Sequence, residues 1–287
     1  MAYHTLIDAV ALAGLIEQGS VLLFDCRFDL TDLDAGRSAY LAGHIPTAGY
    51  LDLDRDLSAS PTGHNGRHPL PDRAAFAARM TELGLSQGLQ VVCYDTSGGF
   101  YASRLWWMLR WLGHEDVAVL DGGLGSWTAA GLPLETGERL PRTPGDFVMS
   151  AEPAMPAVNV SAVEANLTSG DLLVVDARTA ERFAGTPHPL DAASGHIPGA
   201  TNRFYQRNLT PDGRFRPAAE LADDFAKLLD KTPPRQVIHQ CGSGVTATHN
   251  LLAMEIAGLK GSRLYAGSWS EWASDPARPI ATGGAPI

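Results

Sequence analysis

The chain has 287 residues, long for one simple domain and comfortable for two, and its 45% hydrophobic and 19% charged content supplies a sizeable core and excludes a disordered chain. A formal net charge of −10 argues against binding a nucleic-acid backbone or an anionic membrane surface, so any anionic substrate needs a local cluster of donors. Three scattered cysteines, Cys26, Cys93 and Cys241, lack Cys-x-x-Cys or metal-finger spacing; they fit neither a disulfide framework nor a metal site, and point to reduced thiols in the cytoplasm.

In chain order, residues 1–20 carry Asp8 and Glu17 and lack a basic start, so they read as a short helix and not as a signal peptide. No run approaches the ~18 apolar residues of a membrane span. "VLLF" (21–24), "VVCY" (91–94) and "VAVL" (117–120) are apolar throughout, as strands buried on both faces are. Between them "RAAFAARMTELG" (73–84) and "ASRLWWMLRWLG" (102–113) repeat apolar residues at helical spacing and end at Gly84 and Gly113, which fit C-caps. Trp106, Trp107 and Trp111 fall on a helix face for the core. Residues 132–158 hold five prolines, which remove N–H donors and restrict their predecessors, so this stretch reads as an extended, irregular linker. A second irregular piece, "TPHPLDAASG", spans 186–195.

The chain also repeats itself. "VLLFDCR" (21–27) recurs as "LLVVDAR" (172–178), and "AGHIPTA" (42–48) as "SGHIPGA" (194–200). "VVCYDTSGG" (91–99) aligns with "VIHQCGSGV" (237–245), and "LDGGLGSW" (120–127) with "LYAGSWSEW" (264–272). The order is unchanged, so a domain of roughly 130 residues is duplicated. The expected boundaries are 1–135 for the first domain, 136–157 for the linker and 158–287 for the second. Strand–helix alternation predicts the α/β class: two tandem domains, each a mostly parallel sheet with helices on both faces. Ligands then belong at the carboxyl ends of the strands.

Cys241 sits at such an end, with Asp95 as its counterpart in the first copy. Gly242, Ser243, Gly244, Val245 and Thr246 follow, before a helical run "ATHNLLAMEIAG" (247–258). Glycines let consecutive N–H groups turn inward, and such a nest at a helix start favours an anion, so a thiol there is expected to act as a thiolate nucleophile. Without that loop, a lone cysteine reads as a small core hydrophobe, which is how Cys26 and Cys93 read. A cysteine phosphatase needs an arginine closing the loop, but the sixth residue after Cys241 is Ala247 and the next arginine is Arg263. Papain-like acyl transfer needs a histidine base and a different plan. A loop of N–H donors suits a persulfide, whose outer sulfur accepts their hydrogen bonds.

These segments, with "GGFYASRLWW", "DARTAERF" and "CGSGVTA", resemble the two-domain sulfurtransferases of the rhodanese superfamily over nearly the whole chain. The resemblance implies two rhodanese-like domains, the catalytic cysteine being confined to the second. Within the family "CGSGVT" looks like the mercaptopyruvate sulfurtransferases, because thiosulfate-preferring members carry basic residues after the cysteine. The implied reaction moves sulfur from 3-mercaptopyruvate onto Cys241 and then to a thiol such as thioredoxin, or to cyanide, with no metal or organic cofactor and no nucleic-acid or membrane partner. The resemblance further assigns Arg182 to the substrate carboxylate and Ser243, His68 and Asp54 to a relay. Loop residues Gly242, Gly244, Val245 and Thr246 are expected around the substrate. One departure stands out: "GTPHPLDAASGHIPG" has Leu190 where a second carboxylate-binding arginine is expected, with His188 nearby. That loop looks closer to the rhodanese version, which keeps thiosulfate open as donor. A non-catalytic rhodanese-like binding module is the alternative of another class.

Overall fold

The structure, a computed structural model, describes residues 2–139 and 142–284. They group into two compact units: residues 1–58, 71–154 and 211–215 form the first, and residues 59–70, 155–210 and 216–287 the second. Two short pieces thus group against sequence order: residues 59–70 belong with the second unit and residues 211–215 with the first.

The first unit runs β1 (Leu6–Ile7), α1 (Ala9–Glu17), β2 (Val21–Asp25), α2 (Ala35–Ala42), β3 (Gly49–Tyr50), α3 (Arg73–Glu82), β4 (Gln90–Tyr94), α4 (Ala102–Leu112), β5 (Val117–Leu120) and α5 (Gly123–Ala129). Its five strands are parallel in the order β1-β5-β4-β2-β3. Every residue of β2, β4 and β5 is buried, as the unbroken apolar runs require. Alternate residues such as Val21, Leu23, Val92 and Ala118 pack with Leu12 and Trp127 on one face. Trp106 and Trp107 are fully buried on α4. Asp8 and Asp72 cap α1 and α3 through their side chains, and Gly113 ends α4 in the left-handed region.

The second unit repeats the plan: β6 (Ala157–Val158), α6 (Val160–Ser169), β7 (Leu173–Asp176), α7 (Ala180–Ala184), β8 (Thr201–Asn202), α8 (Ala218–Leu229), β9 (Val237–Gln240), α9 (Thr246–Ile256), β10 (Arg263–Tyr265) and α10 (Ser268–Trp272). Its order, β6-β10-β9-β7-β8, is the first unit's order translated element by element. The expected tandem α/β architecture is therefore present. The two-residue strands β1, β3, β6 and β8 escaped the sequence pattern, and β6 occupies the end of the proline-rich stretch that reads as linker. Two residues carry no periodicity; backbone pairing to a neighbour defines them.

The repeated motifs have a structural cause. Arg27 grips Asp25 through both carboxylate oxygens and donates to the Gly43 carbonyl at 2.7 Å, while Arg178 does the same with Asp176 and the Gly195 carbonyl. Each buried pair ties a strand end to the glycine ahead of His-Ile-Pro. Breaking one partner of such a pair strands a buried charge, at about 3–5 kcal/mol.

Candidate active site

Cys241 follows β9 directly and is only 2% exposed. Its N–H donates to Ser268 Oγ at 3.1 Å, and its carbonyl accepts from the Trp269 N–H at 3.0 Å. Ser268, itself at φ +54° and donating to the Tyr265 carbonyl, therefore fixes the cysteine backbone from the start of α10. Sequence reading missed Ser268, for which no local signal exists. The Gly244 N–H donates to Cys241 Sγ at 3.2 Å. Gly244 has φ +78°, and a Cβ there would lie 2.2 Å from the Ala266 carbonyl oxygen, so this turn admits glycine alone.

The loop was expected to aim all its amides at the sulfur. Among the described contacts the Gly244 amide alone reaches it, while those of Val245, Thr246 and Ala247 engage no acceptor. They are the unsatisfied donors at the start of α9, where the chain presents positive potential. Side chains of Val245 and Thr246 are buried, so both residues offer backbone to a ligand.

The first unit shows what such a loop does when it is filled. Asp95 stands where Cys241 stands, and its carboxylate accepts from the N–H groups of Ser97, Gly99, Tyr101 and Ala102 at 2.8–3.0 Å. The same strand–loop–helix turn is thus an anion receptor, plugged in one copy by its own side chain. Cys26 and Cys93 are buried in that unit, and burial pushes both thiols up, away from thiolate chemistry.

Ser243 and His68 come together within the second unit: His68 Nδ1 lies 2.7 Å from Ser243 Oγ, and both residues are buried. Asp54 belongs to the first unit, where its N–H donates to Asp52 Oδ1 and where burial, then Asp52, push its carboxyl up.

Two guanidinium groups converge on Gly242. Nη2 of Arg182 and Nη2 of Arg67 each lie 3.1 Å from where a Gly242 Cβ would stand, so the missing side chain makes room for both. Arg182 is already committed: Nε and Nη2 donate to the two oxygens of Asp191 at 2.9 and 2.6 Å. Arg178 also faces Asp191, at 3.5 Å. The expected role of Arg182 is therefore qualified, because its bidentate fork holds an internal carboxylate.

Arg67, which sequence reading passed over, has no carboxylate partner among the described ion pairs. Its Nη1 donates to the Leu190 carbonyl, and its N–H to Ser270 Oγ at 3.0 Å. Nε is buried without an acceptor. Burial pushes its guanidinium down, opposed by the charges of Asp191 and the Cys241 sulfur. Gly66, at φ +86° and pressed against the Gly267 carbonyl, lets the segment approach this closely. A guanidinium thus reaches the backbone of residue 190, where the loop itself supplies leucine. His188 does not substitute: burial first, then Arg182, push its imidazole down, so it is neutral near pH 7. Trp269 and Trp272 are fully buried core residues, with indole N–H groups bonded to the Ala193 and Pro279 carbonyls.

A buried thiol at a strand end, beside an unfilled amide nest and near an arginine with no described carboxylate ion pair, defines a cysteine-dependent transferase that carries its group on sulfur. The comparisons give the family. The rhodanese-like domain model matches residues 8–130 and 159–275, and the chain belongs to the rhodanese family. It is 46% identical over 285 residues, 99% of this chain and 100% of the relative, to the "Probable 3-mercaptopyruvate sulfurtransferase" of Pseudomonas aeruginosa. It is 35% identical over 282 residues, 94% of this chain and 92% of the relative, to the thiosulfate sulfurtransferase of Bos taurus. The solved 3-mercaptopyruvate sulfurtransferase from Leishmania major superposes with a TM-score of 0.82 at 33% identity, over 93% of this chain and 74% of that one. No helix among the described residues is long and apolar enough to cross a membrane.

Proposed function

We propose that this sulfurtransferase takes its sulfur from 3-mercaptopyruvate and carries it as a persulfide on Cys241. The observation that supports this reading best is the pairing of an unfilled amide nest beside Cys241 with Arg67, whose guanidinium holds no carboxylate ion pair among the described residues. The substrate carboxylate is met by Arg67 and by the remaining donors of Arg182. The Cys241 thiolate attacks the substrate sulfur, an S–S bond forms, and the C–S bond breaks with its electron pair passing into the enolate of pyruvate. Ser243, bonded to His68, faces the developing enolate oxygen, and protonation at carbon releases pyruvate. The outer sulfur accepts from the Val245, Thr246 and Ala247 amides, the electrostatic stabilisation on which such a step depends. Gly242 leaves the approach to the sulfur uncovered.

A thiol such as thioredoxin, or cyanide, then attacks the outer sulfur and returns Cys241 to thiolate. The cytoplasm, where thiols stay reduced, suits three cysteines without a disulfide. The domain limits 1–135 and 158–287 remain the proposed extents of the duplicated sequence. Mass spectrometry after incubation with 3-mercaptopyruvate is expected to show one added sulfur atom on Cys241, absent in Cys241→Ser. Modification by thiosulfate alone reassigns the donor; modification by neither, with equal turnover in Cys241→Ser, makes the chain a binding module.

A further inference from the structure

The first unit contains a cavity of about 390 Å³ that the reaction at Cys241 does not use. Its floor is Leu22 and Phe24, which point away from the packed Val21–Leu23 face, together with Tyr40 of α2. Gly49 of β3 pairs directly with Phe24, and a Cβ there would sit 3.5 Å from the Phe24 ring. The absent side chain leaves the cavity open at the sheet edge. The volume falls within the ~300–1,000 Å³ of small-molecule sites.

The walls carry five arginines against four carboxylates. The carboxylates are engaged: Glu138 pairs with Arg37 at 2.5 Å, Asp56 and Glu82 pair with Arg79 at 3.3 and 3.6 Å, and Asp52 accepts from the Asp54 and Arg55 N–H groups. Arg139 and Arg142 have no ion pair among the described residues. Arg142 donates from Nη2 to the Val21 carbonyl at 3.1 Å, while its Nε is buried without an acceptor. Burial, then the neighbouring Arg139, push the Arg142 guanidinium down to about 10. Arg139 and Arg142 repel one another, and although Glu135 attracts Arg139, neither arginine holds a described ion pair, so an anion relieves them, and guanidinium forks match oxyanions best.

We infer that this cavity is a second, non-catalytic binding site for a small organic oxyanion, its phosphoryl or carboxylate head held by Arg139 and Arg142 and its apolar body lying on Leu22, Phe24 and Tyr40. The site is independent of the chemistry at Cys241 and gives the half of the chain without a nucleophile a ligand of its own.

The test titrates phenyl phosphate, benzoate and inorganic phosphate into the full chain by calorimetry, with Cys241 alkylated so that the catalytic loop is blocked. At least one organic probe is expected to bind with a Kd below about 1 mM and more tightly than inorganic phosphate. Phenyl phosphate against benzoate identifies the head group. Arg139→Gln, whose side chain supports no described backbone contact, is expected to weaken binding at least tenfold while leaving sulfur transfer within twofold. Gly49→Leu, which fills the cavity from the sheet edge, is expected to abolish binding. Absence of binding by all three probes at 10 mM overturns the proposal. So does binding unchanged in Arg139→Gln and Gly49→Leu, or binding lost in Arg182→Gln, which locates the anion at Cys241.

Discussion

Arg67→Gln is the perturbation that tests the substrate site most directly. Arg67 Nη2 stands 3.1 Å from the vacant Cβ position of Gly242, one residue from the reacting sulfur, and has no carboxylate of its own among the described pairs. A hydrogen bond to a charged group contributes about 1.5–3 kcal/mol. At about 1.4 kcal/mol per factor of ten, its loss lowers kcat/KM for 3-mercaptopyruvate by about 10- to 150-fold. The carboxylate lies away from the breaking C–S bond, so ground and transition states lose the contact alike. The change then falls on KM, with kcat within a few-fold of wild type. Steady-state kinetics with the substrate varied gives both constants, and thermal unfolding checks the lost bond to the Leu190 carbonyl, itself a bond to a charged group worth about 1.5–3 kcal/mol. A KM within twofold of wild type, with Arg182→Gln carrying the whole effect, refutes the assignment of Arg67.

Gly244→Ala forces a Cβ to within 2.2 Å of the Ala266 oxygen at φ +78°, so the turn must shift and the amide must leave Cys241 Sγ; persulfide formation in a rapid-quench experiment is expected to slow at least tenfold, while circular dichroism keeps the native spectrum. Asp95→Asn replaces an oxygen that accepts two N–H donors by an amide that accepts none, and is expected to cost about 2–3 kcal/mol in urea unfolding with activity per folded molecule unchanged. His239 is fully buried against Met254 Sδ, and burial lowers its imidazole to about 3. The unfolded chain binds that proton from about pH 6.5 downward and the folded chain does not, so stability falls between about pH 6.5 and 3, by roughly 2 kcal/mol at pH 5. His239→Gln is expected to flatten that slope in urea titrations from pH 7 to 5, and an unchanged slope sinks the reasoning.

The long buried strands and the helices ending at Gly84 and Gly113 were legible because their signals are local. Apolar runs, helical spacing and caps each involve residues close in sequence. The duplicated order was legible because Asp25–Arg27 and Asp176–Arg178 brace the same turn twice, and so appear as repeated letters. The edge strands were not legible, since two residues carry no period. Around Cys241, the glycines and helix start pointed to the loop, but Ser268 and Arg67 act through contacts 27 and 123 positions distant. Arg67 lies next to His68, in a segment whose grouping with the second unit no short-range pattern records. The engagement of Arg182 by Asp191 was equally invisible: an Arg and an Asp nine residues apart declare no pairing until the chain between them is folded.

The carboxylate of Asp95 has one more implication. It satisfies four amides of the first half's turn from within the chain. In the second half the Val245, Thr246 and Ala247 amides have no described acceptor, so under the proposed reaction the sulfur-loaded form is the electrically complete one. Cargo and keystone are then the same atom: what the enzyme hands on to an acceptor is also the piece its own loop lacks.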